Sequence, residues 1–352
     1  MSETEPHILF EKRGFLGLIT LNRPKALNAL THGMCIGMLK ALGEWAGGAA
    51  IKAVAVRGVG TRAFCAGGDI RSMAESSREG TSAAANFLRD EYRLNALIGA
   101  YPKPYIALTH GVVMGGGAGI SVHGRYRLAD DDLAFAMPET GIGFVPDIGA
   151  SFFLSRCPDE TGLYLGLTGM RVGLGDALAL KLITHSVAQS DHAALIARLA
   201  EGEAAAEAIT AFARRAPHAP LDEHRTRIGM MFAAPSVEAV LERLDRDGSV
   251  FSAQTARLMR ARAPTSLKLA FRLLREGKGL CLNECLKMEY RVASRAVMGA
   301  DFREGVRAVL IDKDGAPHWR PAQLVGVKDA DIASYFVSLG VRELSLAEKT
   351  CE

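Results

Sequence analysis

The chain has 352 residues, 49% hydrophobic and 23% charged, which fits a globular protein with a substantial buried core. A formal net charge of +3 at pH 7 and the lack of any dense Lys/Arg run speak against nucleic-acid binding. No uninterrupted apolar stretch approaches the ~20 residues of a membrane helix. The polar, acidic stretch 1–6 resembles neither a secretory signal nor an Arg-rich transit peptide, so the expected location is the cytoplasm.

In chain order, two β-type runs come first, at 7–12 and 15–21, with Arg13 and Gly14 suited to the turn between them. Thr31 is placed to cap a helix whose apolar residues Met34, Met38, Leu39, Leu42 and Trp45 recur at helical spacing. An apolar strand at 53–56 leads through a loop of small residues to a helix expected over 83–98. The order then repeats: a strand at 105–109, a glycine loop at 110–117, and a helix starting within 118–122. Two further strands are expected at 126–129 and 133–136, ahead of Pro138. Strands alternating with helices put this half in the α/β class.

From about Thr161 the β-type runs thin out and amphipathic helical stretches take over, such as 266–276 and 283–297, with Pro264 and Gly277 as punctuation. The expected division is a core over 1–200 carrying the site and a mainly helical region over 201–352, although 204–213 is also helix-like. Six cysteines, at 35, 65, 157, 281, 285 and 351, show neither zinc-site spacing nor the density of a disulfide scaffold, and reduced thiols are expected.

Widely shared catalytic motifs are missing. The sequence contains no phosphate-binding Gly-x4-Gly-Lys-Ser/Thr loop, no His-Glu-x-x-His and no Gly-x-Ser-x-Gly elbow. The run Gly115-Gly116-Gly117-Ala118-Gly119 lacks dinucleotide-site spacing, and His110 and His123 read as core or loop residues. Two small-residue loops, 64–69 and 111–119, each follow a β-type run. Glycine lets a ligand approach main-chain N–H groups, and two such donors aimed at one point are what a thioester carbonyl needs as it becomes negative. Taken singly, each loop is better read as a tight strand-to-helix turn with small residues for packing; the two together, with the acids that follow, favour the donor pair. Glu139 and Asp147 stand eight residues apart across glycines and a proline, so the segment must turn and both carboxylates could face one cavity. A carboxylate there could attack an acyl carbon or activate water. Spacing alone fits equally well with two solvated helix caps.

The stretch Leu21-Asn22-Arg23-Pro24-Lys25-Ala26-Leu27-Asn28-Ala29-Leu30, with Ala66-Gly67-Gly68-Asp69 and Met114-Gly115-Gly116-Gly117, resembles the crotonase (enoyl-CoA hydratase/isomerase) superfamily. Within it the chain is most similar to the 3-hydroxyisobutyryl-CoA hydrolase branch of valine catabolism. That resemblance rests on 64–71 (Phe-Cys-Ala-Gly-Gly-Asp-Ile-Arg), 90–95 (Asp-Glu-Tyr-Arg-Leu-Asn), 110–117 (His-Gly-Val-Val-Met-Gly-Gly-Gly) and 135–140 (Phe-Ala-Met-Pro-Glu-Thr). It rests also on 146–149 (Pro-Asp-Ile-Gly), 288–291 (Met-Glu-Tyr-Arg) and the segment 301–314, so it covers about residues 8 to 340.

The resemblance implies a ββα spiral core with a helical C-terminal part, often trimeric or hexameric. It implies oxyanion donors at the backbone N–H groups of Gly68 and Gly116, a catalytic carboxylate at Glu139, and Asp147 as holder of the substrate's β-hydroxyl. It further implies Glu91 as a substrate-pocket acid, with Arg23, Lys25 and Lys313 near the coenzyme A phosphates. The implied partner is an acyl-CoA thioester, with no metal or organic cofactor, no nucleic acid and no membrane; coenzyme A belongs to the substrate.

Two departures bear on the chemistry. A hydratase places a second glutamate two residues after the glycine triplet, and Gly119 stands there instead. Ala150 and Ser151 replace glycines frequent in the hydrolases, which bears on acyl preference. The expected reaction is hydrolysis of a short β-hydroxyacyl-CoA, 3-hydroxyisobutyryl-CoA first. The alternatives are an enoyl-CoA hydratase or isomerase, which the missing acid disfavours, and an acyl-CoA-binding member without catalysis.

Overall fold

The structure, a computed structural model, describes residues 6–347. Its strands are β1 Ile8–Arg13, β2 Leu16–Leu21, β3 Ala53–Gly58, β4 Ala63–Cys65, β5 Tyr105–Leu108, β6 Val112–Met114, β7 Tyr126–Ala129, β8 Ala134–Ala136 and β9 His185–Ser186. Two compact units are assembled from separated stretches: 1–68, 93–136 and 172–220 form one, and 69–92, 137–171 and 221–352 the other. Residue 200 lies inside the first unit, and one boundary falls within the helix Ala83–Gly99.

All strands among the described residues belong to the first unit, in sheets ordered β1-β2-β3-β5-β7-β9 and β4-β6-β8. β1 and β2 form an antiparallel hairpin, and the other pairings are parallel. Successive strand pairs, β3 with β4, β5 with β6 and β7 with β8, each add one strand to the larger sheet and one to the smaller. This is the ββα spiral that the resemblance implied. β2 (Leu-Gly-Leu-Ile-Thr-Leu) and β5 (Tyr-Ile-Ala-Leu) are buried along their whole length, as parallel strands covered on both faces require. Leu16, Leu18, Ala53, Ala55, Ile106, Leu108 and Leu128 pack with Leu195, Ile196 and Leu199 of the helix His192–Ala200. Thr31 caps the helix His32–Ala46 as expected, accepting from the Met34 N–H at 3.3 Å.

The second unit is helical. The expected helices appear as Pro264–Gly277 and Leu282–Ala296. Val145 packs there with Leu269, Leu273, Met288, Val292 and Ile332. A helix Ile70–Glu79 and the strand β6 were not expected, and the helix foreseen over 204–213 spans only Ala205–Thr210. Reduced thiols hold for the buried Cys35, Cys65, Cys157 and Cys285, but Cys281 is disulfide-bonded, because pairing depends on three-dimensional approach that spacing does not reveal.

Candidate active site

In the first unit the two glycine loops meet. β4 and β6 run parallel, with Ala63 opposite Val112, so the segments after them leave side by side. Gly67 has φ +120°, a backbone that side chains rarely adopt, and a Cβ there would lie 3.9 Å from the Gly116 nitrogen. The helix Gly116–Val122 starts at once, and a Cβ on Gly117 would stand 2.2 Å from the Cys65 carbonyl oxygen. Nothing larger than glycine lets that helix reach the neighbouring loop. The Gly116 N–H lies in the first helical turn, where no intrahelical acceptor exists. Leu30 pairs with Gly68 through its N–H on the Gly67 oxygen at 2.8 Å, which leaves the pairing to the carbonyl before Gly68.

In the second unit lie the acids. Glu139 opens a short 3-10 turn, Glu139–Ile142, and Asp147 follows a left-handed Gly143 whose Cβ would meet the Asp301 oxygen at 2.2 Å. Glu139 is 6% exposed, Asp147 5% and Glu91 3%. The solvated-cap alternative therefore fails. Glu91 Oε1 and Glu139 Oε2 are buried without a partner, whereas Asp147 Oδ2 accepts from the Tyr92 hydroxyl at 2.7 Å. An unpaired buried carboxyl is costly unless it takes up a proton, so burial drives these groups toward the neutral form. Glu91 and Glu139 are raised well above the usual carboxylate range, by burial first and then by the charge of Asp147. Asp147 rises to about 7 through burial, against the pull of the Tyr92 hydrogen bond.

Glu289, fully buried, borders the same segment. It accepts from the Gly149 N–H at 2.6 Å, the Ser151 N–H at 2.6 Å and the Ser151 hydroxyl at 2.5 Å. Burial raises it to about 8 despite those donors, with Asp147 adding to the rise. Neither Tyr92 nor Glu289 was singled out from the sequence. The signal was present: Glu289 stands in line with Cys285, Val292 and Ala296 on a buried helical stripe, where an acid is out of place.

The candidates named from the sequence divide between the two units. Glu91, Glu139 and Asp147 are electrostatic neighbours in the second unit, which also holds Lys313, exposed and at φ +57°. Gly68, Gly116, Arg23 and Lys25 belong to the first. Arg23 donates to the Ala29 oxygen at 2.7 Å, and Lys25 is exposed on the turn Pro24–Ala26. Gly119 is buried inside the helix Gly116–Val122. Among the described residues no group of three or more His, Cys, Asp and Glu could hold a metal ion, and no helix is long and apolar enough to cross a membrane.

A family model described as enoyl-CoA hydratase/isomerase matches residues 16–336. A Xenopus tropicalis protein named 3-hydroxyisobutyryl-CoA hydrolase, mitochondrial, is 44% identical over 348 residues, covering 96% of this chain and 90% of that protein. Its Homo sapiens namesake is 40% identical over 353 residues, covering 97% and 92%. Among solved structures, a carnitinyl-CoA dehydratase from Mycobacterium thermoresistibile superposes with a TM-score of 0.93 at 36% identity, over 97% of this chain and 99% of that one. An enoyl-CoA hydratase from Rhodobacter sphaeroides 2.4.1 gives 0.91 at 36% identity, over 97% and 100%. The expected cytoplasmic location is corrected by the Xenopus tropicalis and Homo sapiens relatives, which are named as mitochondrial. Charge and hydropathy do not determine a compartment, which import machinery assigns by reading an address.

Proposed function

The chain belongs to the enoyl-CoA hydratase/isomerase family, and on that premise we propose that it hydrolyses a short β-hydroxyacyl-CoA thioester, 3-hydroxyisobutyryl-CoA, to the hydroxy acid and coenzyme A. In this proposal the N–H groups of Gly68 and Gly116 receive the carbonyl oxygen as it turns negative. Each donor of that kind contributes ~2.7–4 kcal/mol to the transition state. Once ionised, Glu139 either attacks the acyl carbon, expelling the thiolate and leaving an anhydride for water to open, or takes a proton from water that attacks directly. Asp147 accepts the β-hydroxyl through the oxygen that Tyr92 does not occupy. Glu91 lines the acyl pocket, and Arg23, Lys25 and Lys313 meet the coenzyme A phosphates. No cofactor is drawn upon, because the thioester is already activated. We place the reaction in valine breakdown and the chain in a trimer or hexamer.

The observation that carries this reading is the acid set: Glu139 is buried with an unpaired oxygen beside Asp147, while the second acid of a hydratase is replaced by Gly119. The solved relatives named hydratase and dehydratase favour the other chemistry, but at 36% identity they stand behind hydrolases at 40–44%. Hydration needs acid and base together on one water, and half of that pair is missing.

A thiol-release assay over matched β-hydroxyacyl, enoyl and saturated acyl-CoA esters tests the proposal. The hydroxyacyl ester is expected to release thiol fastest. Glu139→Gln is expected to lose ~10²-fold or more of that rate, the range of general acid–base catalysis, with coenzyme A binding intact. Near-normal turnover in the variant sinks the mechanism. Loss of enoyl absorbance without thiol release would make the protein a hydratase.

A further inference from the structure

Asp147 sits at the entry of a turn that an isolated peptide would avoid. Ile148 and Gly149 follow it with φ +56° and +88°, and the Ala150 N–H closes the turn on the Asp147 oxygen at 2.9 Å. Two consecutive positive φ angles make this a type I′ geometry, which favours Asn, Asp or Gly at the position that isoleucine fills. A β-branched residue there is strained and persists only when its surroundings hold it in place.

Glu289 is the group that holds it. Its two oxygens take the N–H groups of Gly149 and Ser151 and the Ser151 hydroxyl, so it caps the short helix Ala150–Phe153 from a distant helix. The next residue on that helix, Tyr290, lies edge-on to Tyr92 at 5.8 Å between ring centroids, and Tyr92 in turn donates to Asp147. One helix therefore grips Asp147 twice: through the backbone behind it and through the phenol on its carboxylate. An apolar residue at 289 would fill the stripe equally well and leave three donors unsatisfied.

Resting on the hydrolase reading above, we propose that Glu289 is a positioning residue that fixes the Asp147 carboxylate and thereby sets the preference for acyl groups bearing a β-hydroxyl. A merely structural role predicts equal losses on every substrate. A positioning role predicts an unequal one.

The test compares kcat/KM for a β-hydroxyacyl-CoA and the saturated acyl-CoA of equal length in the full chain, in Glu289→Gln and in Ser151→Ala. Glu289→Gln is expected to lower the hydroxyacyl-to-saturated ratio by about tenfold or more, with the saturated ester within about threefold of its original rate. Ser151→Ala removes one donor of three, is expected to give a smaller loss of the same kind, and decides the matter if Glu289→Gln does not fold. An unchanged ratio in the folded variants overturns the inference. Absence of thiol release by the unmodified chain on every ester overturns the hydrolase reading instead.

Discussion

The Tyr92 hydroxyl, 2.7 Å from Asp147 Oδ2, is the side-chain donor that, with a backbone N–H, keeps this buried carboxylate from a still higher proton affinity. Tyr92→Phe removes the donor and leaves the ring packing in place. The acid limb of the hydroxyacyl kcat/KM profile is expected to move upward from about 7, since ionised Asp147 loses its partner. A hydrogen bond to a charged group is worth about 1.5–3 kcal/mol, so activity near pH 6 should fall tenfold or more. A profile that stays in place would show that Asp147 does not govern it. At this scale the sequence exposed the acids that lie on one turning segment, Glu139 and Asp147. It did not expose the groups that hold them, because Tyr92 and Glu289 come from helices 55 and 140 residues away from their partners.

Strand-to-helix joints carry the next level. Gly117→Ala would push a methyl to 2.2 Å from the Cys65 oxygen, and backbone on both sides leaves no flexible atom to yield. Overpacking of this kind costs about 1–3 kcal/mol, so a lower urea midpoint and a lower kcat are expected together. An unchanged midpoint would mean that the joint is looser than its geometry. The elements read well from the sequence were those whose signal is local: the hairpin β1–β2, the helix capped by Thr31, and the amphipathic helices Pro264–Gly277 and Leu282–Ala296. The helix Ile70–Glu79 was missed because its serines and charges read as loop, although Asp69 caps it through the Ser72 N–H. β6 is three residues long and exists through its partners β4 and β8, which no local pattern announces.

Over the whole molecule, buried acids and buried histidines pull stability in opposite directions with pH. His192, lowered to about 4 by burial, and the lowered His110 and His185 withhold stability below about pH 6.5, where the unfolded chain protonates first. Asp147, Glu289, Glu91 and Glu139 have raised affinities, so their contribution is greatest below the ordinary carboxylate range and is lost as pH rises through their folded values. Above pH 7 the histidines no longer contribute; the acids remain, joined toward pH 9 by the buried thiols of Cys157 and Cys285, whose raised affinities act in the same direction. The urea midpoint of the ligand-free protein is expected to fall between pH 7 and 9, and less so in Glu289→Gln; a flat or rising midpoint would contradict the burial of these charges. Compact units built from separated stretches leave no linear mark either, because a composition scan cannot see which distant segments return to pack together. The same acid cluster has a consequence for turnover. In the proposed reaction a thioester brings a neutral acyl group and hydrolysis leaves a carboxylate, which burial and the Asp147 charge disfavour just as they disfavour ionised Glu91 and Glu139. That penalty favours departure, so the free hydroxy acid should be a poor inhibitor even at millimolar concentration, and tight competitive inhibition by it would rule this out. On the proposed reading, the burial that makes these acids costly to hold also clears the product from them.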